Sequence, residues 1–316
     1  MVNSPVSDRR QSAADRAVAR WLLRTLAADP PRARSLIVTV WGDALLPHGG
    51  VVWLAGLIRL MAPFGVSERL VRTSVFRLAR DGWLTGESHG RASRYRLTAD
   101  GARRFDEAHA RIYARPADDW HGEWEVVLAD AVPAPDRAAL REELAWAGFG
   151  TLSPTTFVRP HEPSRPRPSA LATGDPRAIV ARATELPGSR PLAEAAIAAF
   201  DLRTLATSYR AFLARFGGVI ERFRGNAEPD PAQCFAVRTL LIHAYRRVLL
   251  RDPLLPAALL PLDWPGAAAH ALCRDFYRLT HRAGERHLAN VLAAPGSPLP
   301  PASPAFHARF GGLDPP

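Results

Sequence analysis

The chemistry-bearing residues that stand out are the arginines of residues 65–98, GVSERLVRTSVFRLARDGWLTGESHGRASRYRLT. Arg69, Arg72, Arg77 and Arg80 recur at helical spacing, and Arg91 and Arg94 follow in a second basic cluster. A guanidinium is a planar fork of donors that can clamp a phosphate or take both acceptors on a guanine edge. Such a set implies contact with a polyanion, and Ser67 and Thr73 add hydroxyls beside it.

The elements that must carry these groups can be read from the same stretch. Gly65 supplies a turn, and Ser67 is a good N-cap because its hydroxyl accepts from an unpaired amide of the first turn, so a helix is expected from about Glu68. At about 100° per residue, Val71, Ser74, Val75 and Leu78 share an inward face, while Arg69, Arg72, Thr73 and Arg80 project from the other. Taken alone, the helix would serve equally as an ordinary amphipathic surface helix with a solvated charged face. Asp81-Gly82 ends it, Trp83-Leu84-Thr85 reads as a short strand, Ser88–Ser93 as a turn and Arg94–Thr98 as the returning strand. Upstream, Ser35–Leu46 and Val51–Met61 carry the apolar spacing of two more helices. Three helices followed by a hairpin is the order of a winged helix-turn-helix, in which the third helix enters the major groove and the wing lies along the backbone or the minor groove.

Charge supports that reading by its location. The 316 residues carry a formal net charge of +10 and are 47% hydrophobic. Residues 1–115 hold 19 arginines against 10 acidic residues, whereas residues 116–316 hold 22 against 21. Basic charge confined to one segment is an electrostatic footprint for nucleic acid. Cys234 and Cys273 have no ligand-like spacing and read as buried free thiols, which suits a reducing compartment. No leader and no membrane-spanning apolar run is evident, and no Walker A, GxSxG or HExxH motif is present to suggest an enzyme.

The expected class is α+β. Residues 1–34 read as a flexible N-terminal extension with a short helix from Ala13, 35–115 as the winged-helix domain, 116–191 as a ferredoxin-like α+β domain, 192–294 as a helical C-terminal domain, and 295–316 as a loose Pro-rich tail. The central segment rests on a β-α-β order: Trp120–Ala129, Pro135–Ala147 and Thr151–Arg159. Residues 160–191 are rich in Pro, Arg, Ser and Gly, so the second half of that domain cannot be placed.

The runs SLIVTVWGDAL at 35–45, GVSERLVRTSVFRLARDGWL at 65–84, GRASRYRLTADG at 90–101, WAGFG at 146–150 and HAYRRVLLRDPLLPAALLPLDWPG at 243–266 resemble the PaaX family of transcriptional regulators. The resemblance covers nearly the whole chain. It implies a cytoplasmic, homodimeric repressor, with no cofactor, whose central domain is similar to the Cas2 fold and which an acyl- or aryl-coenzyme A thioester such as phenylacetyl-coenzyme A releases from a double-stranded DNA operator. Arg69 is then the candidate base contact and Arg72 a phosphate contact, with Arg77 and Arg80 on phosphates or in solvent, and Arg91 and Arg94 in the narrow minor groove. Phe76 also falls on the outward half of this helix, where packing on a neighbouring helix is expected rather than contact with a thymine methyl. Tyr245, Arg246, Arg247 and Trp264 could meet a thioester's phosphates and aryl group; alternatively, Arg246 or Arg247 pairs with Asp252 or lies at a dimer interface. Two other functions stand beside this one. The first is an architectural DNA-binding protein with no effector. The second is a Cas2-like nuclease in which paired Asp130 residues hold a metal across a dimer.

Overall fold

The computed structural model describes residues 12–90, 92–113, 120–162, 177–184, 192–226, 228–293 and 298–313. The first half runs α1 (Ala13–Ala28), α2 (Ala33–Val40), β1 (Val52–Trp53), α3 (Leu54–Met61), α4 (Glu68–Arg80), β2 (Leu84–His89), β3 (Ala92–Leu97) and α5 (Ala99–Tyr113). It continues through β4 (Trp124–Leu128), α6 (Ala134–Trp146), β5 (Gly150–Ser153), β6 (Thr156–Pro160) and β7 (Ile179–Ala183). The rest is helical: α7 (Leu192–Ala199), α8 (Leu202–Arg224), α9 (Pro231–Leu249), α10 (Gly266–Leu292) and the short α11 (Pro304–His307). The mixed α+β class is as expected. The described residues gather into two compact units, one drawn from 1–114, 212–246 and 268–316, the other from 115–211 and 247–267. The first segment and most of the C-terminal helices therefore share a core.

In the first unit, α1 opens with a capping box. The Ser12 hydroxyl accepts from the Asp15 amide at 3.0 Å and the Asp15 carboxylate accepts from the Ser12 amide at 3.2 Å. Trp21 packs on Phe216 with ring centroids 5.5 Å apart, and Arg222 donates to the Ala17 carbonyl. These contacts correct the expectation of a flexible N-terminal extension for residues 12–28; residues 1–11 lie outside the described residues. The expected helix at 35–46 changes winding, because α2 passes into a π turn at Trp41–Leu45 and a 3-10 turn at Leu46–His48. The expected second helix starts only at Leu54, since Val52 and Trp53 pair with Tyr95 and Arg94 of β3. That pairing gives an antiparallel sheet of order β1-β3-β2.

The π turn places Asp43 in the interior, 2% exposed. Its Oδ1 accepts from the Tyr113 hydroxyl at 2.5 Å and from the Tyr277 hydroxyl. Arg238 Nε stands 3.4 Å from Oδ2, and Arg309 Nη1 donates to the Asp43 carbonyl at 2.9 Å and to the Tyr277 oxygen at 2.6 Å. The cluster extends through Arg238 to Glu285 at 3.0 Å and from Glu285 to His48 at 2.7 Å. Burial pushes the Glu285 carboxyl up, but His48 and Arg238 hold it below its ordinary range. The expected loose tail is likewise corrected: Phe306, Arg309 and Phe310 are each 1% exposed, because the Arg309 guanidinium completes this buried charge cluster.

In the second unit the sheet order is β5-β6-β4-β7, antiparallel throughout. The proline-broken region that could not be placed thus contains β7, which forms an edge beside β4; residues 163–176 and 185–191 lie outside the described residues. Val127, Ala129 and Phe157 face α6 through Leu140 and Leu144, while Trp124 and Val158 face Leu202, Leu255, Leu259 and Trp264. The proline-punctuated connector at 253–264 therefore covers the second face of the sheet. The buried Arg159 pairs with Glu125 at 2.8 Å and lies over the Phe149 ring.

Asp43→Ala would leave two buried guanidiniums short of their counter-charge, a loss of about 3–5 kcal/mol of stability. Urea denaturation would read it, and a change below about 1 kcal/mol would contradict this role. His109 gives a pH prediction. Burial and the nearby Arg309 lower its pKa from 6.5 to about 4. Because the unfolded chain takes up this proton first, stability should be complete above pH 6.5 and decline as pH falls toward about 4. Thermal melts across that range should flatten in His109→Gln, and an unchanged slope would contradict the assignment.

Candidate nucleic-acid interface

The first unit seats α4 through its apolar face. Val71, Val75 and Leu78 are at most 2% exposed, with Ser74 buried beside them; each such aliphatic side chain contributes about 1.5–3 kcal/mol. Gly65, with φ of 71°, makes the left-handed turn into the helix, and Ser67 accepts from the Leu70 amide at 3.4 Å. At the other end Asp81 pairs with Arg34 at 2.8 Å, and the Thr98 hydroxyl donates to the Gly82 carbonyl, which fixes the hairpin to the end of α4.

The opposite face is exposed as expected, and the structure brings Arg69, Arg72, Thr73, Arg77 and Arg80 onto it together. Arg72 donates twice to Glu68, at 2.9 and 2.7 Å, and Thr73 donates to the Arg69 carbonyl at 2.9 Å. Arg80 lies 3.5 Å from Asp81. The guanidiniums of Arg69 and Arg77 hold no hydrogen bond or ion pair with another of the described residues. These pairs are solvent-exposed, each worth at most about 1 kcal/mol, so a phosphate can displace or share them readily. Phe76 departs from expectation. It does not pack on a neighbouring helix but is 67% exposed, because its place on the helix lies opposite Val71 and Leu78.

On the hairpin, Arg94 donates to Glu87 at 2.8 Å and lies over the Trp53 ring at 5.8 Å. Arg96 reaches the other oxygen of Glu87 at 3.4 Å, and the two arginines, Arg94 first, hold that carboxyl below its ordinary range. Strands β2 and β3 pair from Leu84↔Leu97 to His89↔Ala92, so Ser88, His89, Ala92 and Ser93 of the expected turn lie in the strands. Arg91 itself lies outside the described residues.

The four C-terminal candidates belong to both units. Tyr245 is 2% exposed with its ring 5.6 Å from Phe212 in the first unit, which also contains Arg246. Arg247 and Trp264 belong to the second unit; Arg247 is exposed, and Trp264 stands edge-on to Tyr209 at 5.8 Å. Asp252 accepts from the Tyr209 hydroxyl at 2.6 Å and from the Leu254 amide at 2.7 Å. Asp130 is exposed after β4, and among the described residues no three or more His, Cys, Asp or Glu side chains converge as a metal site.

Residues 32–101 match the profile of PaaX-like protein, residues 117–174 that of the PaaX protein central Cas2-like domain, and residues 200–290 that of the PaaX-like protein C-terminal domain. The transcriptional repressor PaaX of Escherichia coli (strain K12) is 32% identical over 294 residues, covering 91% of this chain and 92% of its own length. The chain belongs to the PaaX family. The uncharacterized protein Rv0674 from Mycobacterium tuberculosis is similar at 27% identity over 88% of this chain and 99% of that one, with a TM-score of 0.48. Within the family match, the first profile spans α2 through the start of α5 and so contains the whole exposed face of α4 and the hairpin.

Proposed function

We propose that the chain is a sequence-specific DNA-binding transcriptional regulator of the repressor type rather than an enzyme. In this reading α2, α3 and α4 with the β1-β3-β2 sheet are a winged helix-turn-helix, and the β5-β6-β4-β7 sheet with α6 is a ferredoxin-like domain. The observation that carries it is the exposed face of α4, where Arg69, Arg72, Arg77 and Arg80 surround Thr73 and Phe76 on a helix anchored by Val71, Val75 and Leu78. A cationic helix face with a buried opposite side fits a major groove, and the hairpin with Arg91 and Arg94 follows the flanking backbone or minor groove. Ser67, exposed at the helix N-terminus, can donate its hydroxyl proton to a phosphate while its oxygen caps the Leu70 amide.

A repressor of this form works as a homodimer on a double-stranded operator, its two α4 helices about one helical turn of DNA apart. Release requires a ligand that binds the free arrangement more tightly than the DNA-bound one. The proposed ligand class is an acyl- or aryl-coenzyme A thioester. Of the C-terminal candidates, Arg246 and Arg247 remain the phosphate contacts to test. Tyr245 and Trp264 are committed to packing against Phe212 and Tyr209, and their loss would disturb the fold first. No described helix is long and apolar enough to cross a membrane.

Arg69→Ala and Arg72→Ala are expected to lose operator binding while leaving the melting temperature and oligomeric state unchanged, since both side chains are exposed. Gel-shift titration on promoter fragments recovered by genome-wide footprinting would test this, and unaltered binding by both variants would refute it. A thermal-shift screen of phenylacetyl-coenzyme A, related thioesters and their free acids should show stabilisation by a thioester alone. Stabilisation by none of the thioesters would rule out the effector class.

A further inference from the structure

We infer that Phe76 reads thymine, by placing its ring against the C5-methyl group in the major groove; this deepens the DNA-binding reading and rests on it. The Phe76 ring, 67% exposed in the middle of the helix, leaves a large apolar surface available to an occupant. Helical geometry puts Phe76 close to the centre of the exposed face, in line with Arg69 and Arg80 and flanked by Arg72, Thr73 and Arg77. Charge complementarity then chooses among occupants. A second copy meeting this face symmetrically would bring its own four guanidiniums against these four, which repel one another. An apolar protein groove would have to desolvate the same cations. A DNA major groove is rimmed with phosphates for the arginines and carries one apolar group on its floor, the methyl of thymine.

The geometry of α4 also separates the tasks. Arg72 and Arg77 lie on opposite flanks of the stripe and suit the two phosphate walls, whereas Arg69 and Phe76, two turns apart on its midline, suit successive base edges. The ring would then select for T·A at a position displaced along the site from the one that Arg69 reads.

The test uses full-length protein and duplexes enriched by the wild type from a random 30-base-pair pool, about three helical turns, resynthesised with uracil in place of thymine, which removes only the methyl groups. Wild type should bind the uracil duplex about fourfold more weakly, the equivalent of one buried methyl. Phe76→Ala should lose a similar factor on the thymine duplex and show no further loss on the uracil duplex, while Phe76→Leu should recover part of the discrimination. Equal thymine preference in wild type and Phe76→Ala would overturn the inference while leaving DNA binding intact. Failure of the wild type to enrich any sequence would overturn both. Conversion of a dimer to a monomer by Phe76→Ala in sedimentation would place the ring at a protein interface and also overturn it.

Discussion

Everything in the first unit depends on the burial of the Asp43 carboxylate. A carboxylate removed from water is tolerable only when opposite charges and hydroxyls surround it. Here those partners come from widely separated elements: Tyr113 of α5, Arg238 of α9, Tyr277 of α10 and Arg309 beyond α11. None of the four can be withdrawn without leaving a charge or a hydroxyl stranded, so α2 and the C-terminal helices must reach their packing together. Thr39 facing His243 at 2.8 Å and Arg59 donating to the Val291 carbonyl repeat this bond between the two ends of the chain. The orientation of α4, which rests on α2 and α3, is thus tied to the packing of α9 and α10.

The exposed face obeys the opposite electrostatic rule. Its charges remain in water, where Glu68 and Glu87 draw Arg72, Arg94 and Arg96 into pairs too weak to obstruct a better anion. The interior charges are held by fixed partners, whereas the outer ones stay available for exchange.

Much of this was legible in the sequence because it is local. A Ser67 cap, Val71-Val75-Leu78 spacing and Asp81-Gly82 place α4 and both of its faces, and the returning run at 94–98 completes the hairpin. The buried cluster was not legible, since its members are separated by 70 residues for Tyr113 and 266 for Arg309, and no period links them. An aspartate within an otherwise apolar helix was the available signal, as was the Arg309-Phe310 pair in a tail judged loose from its prolines. For Tyr245, Arg246 and Arg247 the helix itself sets a limit legible in the sequence: consecutive residues diverge by about 100°, so the buried direction of Tyr245 turns the two arginines away from it. The outward direction of Phe76 is legible from its angle to Val71 and Leu78, but whether a neighbouring helix covers it is not, since that depends on tertiary packing.

The central claim is that α4 enters the major groove, and methylation by dimethyl sulfate tests it most directly. That reagent modifies guanine at N7 in the major groove and adenine at N3 in the minor groove. On a bound site, wild-type protein should protect guanine N7 in the segment between the hairpin contacts, with adenine N3 protected only at the flanks. Protection confined to adenine N3, or none within a DNase-protected site, would contradict the account.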